Sequence, residues 1–331
     1  MRDTTIDGLK FLLICLVTIG HAIEPTRYAD ECSGVLYAAI YSFHMPLFVL
    51  LSGYFSKNQE LGKINRQALS LLETFLVMTI SIGLLLGRQP LYLVLKPSPS
   101  CWYLLSLVAW RYMLYWLVSV KGFSNCGIMG CSLVIAATFL LLPVPSKPLA
   151  ILTVMRTTQY FPFFVLGYCL TSVHVTKIRE TGMIRATMWM VAFALLTLCC
   201  IYSGKGLHTL EYHRDTLYGL SSQFGWSLGE GAVYLVGVTA VAVVVSLALL
   251  SVKQLPRLFC DYGRHSLVFY FVQGLLTFKL ADVLPANLLI ELLLGLGIIV
   301  VGGGNFKVVP VGCHPCLCYC KGGKEMGAGV S

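Results

Sequence analysis

The chain has 331 residues, of which 57% are hydrophobic and only 12% are charged, whereas an ordinary soluble domain is about 25% charged. With a mean hydropathy of +0.78, this composition excludes a disordered chain, a coiled coil, a collagen and a small disulfide-stapled secreted domain. The net charge of +9 is spread over short loops between apolar runs, which is typical of membrane topology and not of a nucleic-acid-binding surface. The sequence therefore predicts an all-α, polytopic membrane protein whose solvent is the lipid bilayer, with no nucleic-acid partner.

Ten apolar runs are candidates for membrane spans, because a helix needs about 20 residues to cross a bilayer. Lys and Arg are more frequent in the loops that lie inside when the N-terminus is inside, so we expect both termini in the cytoplasm. The membrane domain is expected over residues 1–301, followed by a Gly- and Cys-rich cytoplasmic tail at 302–331. The predicted spans are 6–23, 35–55, 69–87, 102–120, 127–143, 159–173, 186–203, 231–250, 266–284 and 286–301.

Two polar segments permit more than one interpretation. The longest polar stretch, residues 204–230, lies on the predicted outer side and is rich in aromatic and hydrogen-bonding groups. It suits either a carbohydrate-binding face or a solvated connection over the helix ends. In the tail, the cysteines between residues 313 and 320 are too closely spaced for a standard four-ligand zinc site, so we expect no metal.

The first span carries ionisable side chains, which are costly at bilayer depth unless they are paired or hydrated. Asp7 and Lys10 are three residues apart and can pair, and His21 follows Lys10 by eleven residues, which returns to the same face of an α-helix. Glu24 follows His21 by three residues and could hold the imidazole in one tautomer. A helix with this polar stripe cannot face lipid, so we expect it to line a cavity.

The second span places His44 close to Pro46, which is expected to kink the helix beside a buried imidazole. We expect His44 and His21 to share a chamber in the outer half of the membrane. Histidine is the commonest general acid or base, and a base that takes a proton from a sugar hydroxyl prepares that oxygen to attack an acyl donor. The alternative is a buried histidine that only hydrogen-bonds a neighbouring helix. That alternative is favoured for an isolated histidine, but the neighbouring Asp7 and Lys10 favour a catalytic role for His21.

Five ordered segments carry a further signal. They are RDTTIDGLK at 2–10 with GH at 20–21, YSFHMPLF at 41–48 with SGY at 52–54, WYLLSLVAWR at 102–111, RTTQYFPFFVLGY at 156–168 and GRHSLVFY at 263–270. In these segments the chain resembles the integral membrane acyltransferase-3 family, and within it the fucose 4-O-acetylase-like branch. The resemblance covers roughly residues 1–300, and it is the order of all five segments that makes it specific.

The resemblance implies ten membrane helices and transfer of an acyl group, usually acetyl from cytoplasmic acetyl-CoA, to a carbohydrate hydroxyl. Acetyl-CoA is then a donor substrate, and no bound cofactor is expected. The family pattern also implies a basic residue and an essential histidine on the first helix with ten residues between them, which Lys10 and His21 match. His21 would take the hydroxyl proton, while Lys10 would attract the donor's phosphates or hold the geometry of the chamber. Asp7 and Glu24 complete this expected catalytic group.

The resemblance extends to the substrate-binding residues. Arg111 and Arg156 would stabilise negative charge on the donor or on the tetrahedral oxyanion. His44, Trp102 and Tyr103 would shape the pocket. On the inner side, basic residues at 57, 63 and 66 are candidates for contacts with CoA phosphates, although the usual excess of positive charge on the inner side explains them equally well.

Two other functional classes are considered beside a multi-pass acyltransferase of the cell membrane. A transporter or flippase for a glycolipid or polysaccharide would also explain buried charge and ten spans, but it predicts an internal repeat, and none is visible. A membrane sensor or scaffold fits poorly, because the sequence has charge along one helix stripe and no separate soluble domain.

Overall fold

The computed structural model describes residues 3–27, 31–57, 60–87, 89–98, 101–143, 153–180, 216–263 and 266–281, with scattered positions between 182 and 194. These described residues form helices and contain no β-strand. The helices are α1 (Thr4–Ala22), α2 (Glu31–Tyr54), α3 (Leu61–Leu86), α4 (Pro90–Leu95), α5 (Trp102–Tyr115, continued by a π-helix at Trp116–Val120), α6 (Asn125–Leu140), α7 (Val154–Cys169), α8 (Ser172–Glu180), α9 (Leu217–Phe224), α10 (Leu228–Leu250), α11 (Arg257–Gly263) and α12 (Ser266–Ala281).

Five of the described helices are long and apolar enough to cross a membrane, namely α1, α2, α3, α5 with its π-helical continuation, and α10. A sixth crossing is added if α7 and α8 are counted as one broken span, while α6 is apolar but shorter. The predicted spans at 6–23, 35–55, 69–87, 102–120 and 231–250 coincide with the five long helices, although α3 begins well before its predicted start. The all-helical, membrane-spanning class predicted from composition is therefore confirmed.

The other predicted spans have different outcomes. Those at 127–143 and 266–284 correspond to the shorter helices α6 and α12. The span at 186–203 lies mostly outside the described residues, and the span at 286–301 lies wholly outside them, as does the tail. The number of ten spans, the orientation of the termini and the division at residue 301 remain predictions.

The predicted span at 159–173 is not a straight helix. α7 ends at Cys169, and α8 leaves it at an angle of 91°. Leu170 has an extended backbone (φ −67°, ψ 131°), and the side chains of Thr171 and His174 each bond the other residue's backbone N–H, at 3.3 Å and 3.2 Å. This reciprocal cap starts a new helix where the apolar run predicts continuation of the old one, because short-range side-chain bonds compete with the helical ladder.

Long-range contacts bring several helix ends together at one end of the bundle, which we call the Asp3 end. Asp3 caps α1 and forms an ion pair with Arg179 of α8 at 2.7 Å. The hydroxyl of Thr5 donates to the carbonyl of Lys253, just after α10, at 3.1 Å. Lys57, just after α2, donates to carbonyls at the end of α7, including that of the residue after its last turn at 2.6 Å. The start of α1 and the ends of α2, α7 and α10 therefore lie at the same end.

The crossing of α2 and α7 is a backbone-to-backbone contact. A Cβ atom added to Gly53 would lie 1.9 Å from the carbonyl oxygen of Phe164, and one added to Gly167 would lie 1.8 Å from the carbonyl oxygen of Leu50. Small residues permit such close approach in membranes, where hydrophobic burial does not drive helices together. The two glycines fix the position of α2 relative to α7.

Buried aromatic side chains pack α5 against α7. Trp110, Phe161 and Phe164 are fully buried, and the indole N–H of Trp110 donates to the carbonyl of Thr157 at 2.7 Å. The hydroxyl of Ser106 is 2.7 Å from that of Thr157. These contacts satisfy the polar atoms and hold the Trp102–Arg111 face of α5 in place.

Candidate active site

A cavity opens among α1, the end of α2, α3, α5 and the start of α12. Its volume is about 160 Å³, below the ~300–1,000 Å³ that is usual for sites that enclose a small molecule, and it is open to its surroundings. Most of its wall is apolar, and its polar side chains are two cations and four hydroxyl groups. The lining residues are Lys10, Phe48, Leu51, Ser52, Phe55, Leu71, Tyr103, Leu104, Leu107, Arg111, Ser266, Leu267 and Tyr270.

Lys10 supplies one cation to this cavity. Its ammonium lies 3.5 Å from the carboxylate of Asp7 and 3.8 Å from the centre of the Phe55 ring. Asp7 is buried, with 2% of its side chain exposed, whereas 22% of the Lys10 side chain is exposed. The predicted pairing of Asp7 with Lys10 is confirmed. It offsets the cost of both charges and leaves the ammonium at the cavity wall.

Arg111 supplies the second cation. Its Nη1 donates to the side-chain oxygen of Gln67 on α3, which is a neutral partner. No carboxylate among the described residues pairs with Arg111, and its buried Nε has no hydrogen-bond partner there. A guanidinium that lines a cavity with donors still available favours an anion that offers two acceptor oxygens, such as a phosphate or a carboxylate.

Two hydroxyl groups are fixed on the same wall. The hydroxyl of Ser52 donates to the carbonyl of Phe48 at 2.8 Å, so the hydroxyl of Tyr103, 2.5 Å from Ser52 Oγ, is the donor in that second bond. The Tyr103 ring also contacts Phe48 edge-on, with 5.1 Å between ring centres. Tyr103 therefore lines the cavity in a fixed orientation.

Trp102 and Arg156 form a separate pair near the start of α5 and α7. The guanidinium of Arg156 lies 5.1 Å from the Trp102 ring, which is stacked on Tyr160 with 5.4 Å between ring centres. Trp102 is buried, and neither it nor Arg156 lines the cavity. The two predicted binding residues are thus brought together, and Trp102 meets the cavity-lining Tyr103 edge-on, with 6.3 Å between ring centres.

His21 lies at the opposite end of α1 from Asp3, which we call the His21 end. Its Nδ1 is 3.4 Å from Oε2 of Glu24 and 3.2 Å from the hydroxyl of Tyr41 on α2. Only 8% of the His21 side chain is exposed, against 33% for Glu24. The predicted contact of Glu24 with His21 is confirmed, and it holds the Nδ1 side of the ring against the carboxylate.

His44 is buried and bonded to its own helix. Its Nδ1 donates to the carbonyl of Ile40 at 2.7 Å, and its ring meets Tyr41 edge-on with 4.7 Å between ring centres. Both imidazoles therefore contact Tyr41, which lies between α1 and the buried His44. α2 is assigned as one helix through Pro46.

Lys10 and His21 are separated along α1. His21 is absent from the lining of the cavity that holds Lys10 and Arg111. Eleven residues of α-helix correspond to about 16 Å along its axis. Lys10 and His21 are therefore separated by this length, although they lie on the same face of α1. The predicted site residues thus form three groups: Asp7, Lys10, Tyr103 and Arg111; Trp102 and Arg156; and His21, Glu24 and His44.

A family model described as an acyltransferase domain, that of the acyltransferase-3 family, matches residues 3–304. The chain belongs to the acyltransferase-3 family. It is a membrane-embedded acyltransferase, and the transporter alternative is not favoured.

Two curated relatives of the chain are both named nodulation protein NolL. The chain is 26% identical to nodulation protein NolL of Sinorhizobium fredii (strain NBRC 101917 / NGR234) over 314 residues, which are 86% of this chain and 80% of that protein. It is 42% identical to nodulation protein NolL of Mesorhizobium japonicum (strain LMG 29417 / CECT 9101 / MAFF 303099) over 65 residues, which are 19% of this chain and 17% of that protein. No solved structure matches the chain.

Several residues of this acyltransferase site were not assigned a role from the sequence. Ser52 and Tyr270 lie in the segments that carry the family resemblance, but only the fold shows that they line the cavity. Tyr41 lies three residues before His44 and gives no sign of its contact with His21. Gln67 gave no signal, because its partner Arg111 is 44 residues away.

Lys57, one of the basic residues of the predicted inner loop, has a structural role. Lys57 donates to the carbonyls of Gly167, Tyr168 and Leu170, so its ammonium caps the end of α7. Among the described residues there is no group of three or more His, Cys, Asp or Glu side chains that could hold a metal ion. The Cys-rich tail and residues 204–215 lie outside the described part of the chain.

Proposed function

We propose that this membrane acyltransferase moves an acetyl group from acetyl-CoA to a hydroxyl of a cell-surface or exported carbohydrate, in the cell membrane, with its N-terminus in the cytoplasm. Family membership and the relatives named for nodulation support this proposal. So does the resemblance to the fucose 4-O-acetylase-like branch. The observation that carries it is the contact of Nδ1 of His21 with the carboxylate of Glu24, which supports Nε2 as the basic nitrogen.

The donor would bind in the cavity at the Lys10 side. Lys10 and Arg111 give this cavity a positive wall, and Arg111 has no carboxylate partner within the described ranges. The phosphates of CoA are the anionic part of the donor, and guanidinium and ammonium groups are the side chains that bind phosphate. The excess of Lys and Arg on the predicted inner side supports entry of the donor from the cytoplasm.

The acceptor would bind at the His21 end. The hydroxyl proton passes to Nε2 of His21 while the hydroxyl oxygen attacks the thioester carbon and forms the new C–O bond. The carbonyl electrons move to oxygen, and the tetrahedral oxyanion is stabilised by a nearby cation, for which Arg156 is the candidate at this end of the bundle. Collapse of the oxyanion breaks the C–S bond. The CoA thiolate takes the proton back from the imidazolium, which restores neutral His21.

The separation of the two ends fits a donor with a long arm. His21 and Lys10 are about 16 Å apart along α1, and the thiol of CoA is carried on a flexible chain remote from its phosphates. The phosphates can therefore remain at Lys10 and Arg111 while the thioester extends toward His21. This arrangement lets donor and acceptor approach the same carbonyl from opposite ends of the bundle.

The test uses a strain from which the gene has been deleted, complemented with the wild-type chain, with His21→Ala or with His174→Ala. His174 is the matched control, because it is an exposed histidine on α8 that only bonds Thr171. Mass spectrometry of the surface glycans should show loss of one acetyl group per modified sugar in the deletion strain and with His21→Ala. Wild type and His174→Ala should restore it.

Two outcomes would contradict the proposal. Full acetylation with His21→Ala, at equal protein level in the membrane, would remove His21 as the base. Disappearance of the entire glycan from the surface of the deletion strain, with the glycan retained inside, would indicate transport and not acyl transfer.

A further inference from the structure

The contacts at Nδ1 of His21 extend beyond Glu24. Arg27, on the turn after α1, brings Nη1 within 3.4 Å of Oε1 of Glu24, while Oε2 of the same carboxylate faces His21 at 3.4 Å. The carboxylate thus lies between a guanidinium and an imidazole. An adjacent guanidinium favours the ionised form of a carboxyl group, and an ionised carboxylate can only accept hydrogen bonds.

Arg27 is itself fixed by aromatic side chains of α2. Nη1 donates to the hydroxyl of Tyr37 at 2.5 Å, and the guanidinium carbon lies 4.6 Å from the centre of the Tyr37 ring. Tyr37 is stacked on Tyr41, with 3.9 Å between ring centres and 20° between ring planes. Tyr41 in turn contacts His21, because its hydroxyl is 3.2 Å from Nδ1 of His21. His21, Glu24, Arg27, Tyr37 and Tyr41 thus form a closed ring of contacts.

The positions of the protons in this ring of contacts can be assigned from the chemistry of each side chain. Glu24 is an acceptor, so the proton between it and His21 belongs to Nδ1. The Tyr41 hydroxyl, which meets the same nitrogen, must then accept through its oxygen. The neutral ring carries its proton on Nδ1 and its lone pair on Nε2. After the ring takes a second proton at Nε2, the ionised Glu24 also stabilises the imidazolium.

We propose that Arg27 and Tyr41 are positioning residues, which together with Glu24 hold His21 in the Nδ1–H tautomer with Nε2 directed to the acceptor hydroxyl. The inference rests on the proposed function of His21 as a base, and it adds two residues that no sequence pattern assigned. Arg27 acts through Glu24, and Tyr41 acts directly on Nδ1.

The first measurement does not require activity. The protein is labelled with ¹⁵N-histidine and purified in nanodiscs, and the His21 signals are identified from their loss in His21→Ala. The wild-type ¹⁵N shifts should report the Nδ1–H tautomer. Arg27→Met should give a mixture of tautomers, while Arg179→Met should leave the signals unchanged. Arg179 is the matched control, since it also pairs with one carboxylate but at the Asp3 end.

The second measurement is steady-state kinetics with acetyl-CoA and, as acceptor, the chemically deacetylated surface glycan of the deletion strain. Tyr41→Phe keeps the stacked ring and removes only the hydroxyl, so kcat should fall by about 10-fold with KM unchanged. Arg27→Met should lower kcat further, within the ~100- to 10,000-fold that a general base contributes. Tyr112→Phe, which loses an exposed hydroxyl bonded to Asn65, should behave as wild type.

Each outcome bears on one claim. A wild-type His21 with its proton on Nε2, or an unchanged tautomer in Arg27→Met, would overturn the positioning role while leaving His21 as a base. A fall in kcat that only follows the amount of folded protein would assign Arg27 and Tyr41 to packing. Activity retained in His21→Ala would remove the proposed function and this inference with it.

Discussion

Substitution of Gly53 by Ala tests whether the contact between α2 and α7 holds the bundle together. The added methyl group would lie 1.9 Å from the carbonyl oxygen of Phe164, where ordinary contact begins at 3.4 Å. The obstructing atom belongs to the backbone, so the two helices must separate by about 1.5 Å at this point. Overpacking of this kind costs about 1–3 kcal/mol, and we expect the upper end because no flexible side chain can yield.

The assay is the thermal denaturation of purified protein in detergent, and Gly237→Ala is the control. Gly237 lies inside α10 with no heavy atom within 4 Å of its added Cβ, so Ala should stabilise the helix there by about 0.5–1 kcal/mol. Gly53→Ala should lower the apparent Tm by about 5 °C or more. Gly53→Ala with Gly167→Ala should cost less than the two single changes added, because the first separation makes room for the second methyl group. Equal Tm values for Gly53→Ala and Gly237→Ala would refute the reasoning.

Two further predictions concern the donor cavity and the Asp3 end. Arg111→Gln should raise the KM for acetyl-CoA by about 10- to 100-fold, the equivalent of one lost hydrogen bond to a charged group, with a smaller effect for Arg111→Lys. Exposed Lys121→Gln is its control, and an unchanged KM for Arg111→Gln would exclude this cavity as the donor site. Asp3→Ala removes both the α1 cap and the ion pair with Arg179, and should lower the free energy of unfolding by about 1–2 kcal/mol. Asp3→Asn keeps a cap and should cost less than about 1 kcal/mol in chemical denaturation; equal losses for the two variants would contradict the capping role.

Local spacing in the sequence predicted the parts of the site that lie within one helix or in the turn that follows it. Asp7 and Lys10 pair because residues three apart face each other on a helix. Glu24 reaches His21 from the turn that follows α1, where it is still only three residues away. The five long spans follow from apolar length alone. These features depend on neighbouring residues only, and the sequence states that information directly.

The remaining features depend on contacts between distant segments. The hydroxyl of Tyr41 meets His21 only because α1 and α2 pack side by side, and Gln67 meets Arg111 only because α3 lies against α5. A polar stripe on α1 correctly excluded a lipid-facing helix. It could not show that Lys10 and His21 would meet different neighbours, since that depends on which helix covers each turn.

The touching backbones of α2 and α7 have a mechanical consequence for the cavity. Ser52 lines the cavity and precedes Gly53 on α2. This part of the wall therefore lies where the backbone of α2 touches the backbone of α7, with no side chain between them. The chain just before α12 is held in a similar way, because a Cβ atom added to Gly263 would lie 1.9 Å from the carbonyl oxygen of Asp7 on α1. Leu71 on α3 lines the cavity with its side chain. Side chains can change rotamer, but a backbone contact has no such freedom. We therefore expect the cavity to widen for a bulky nucleotide on the α3 side, where the wall is a side chain and not a backbone contact.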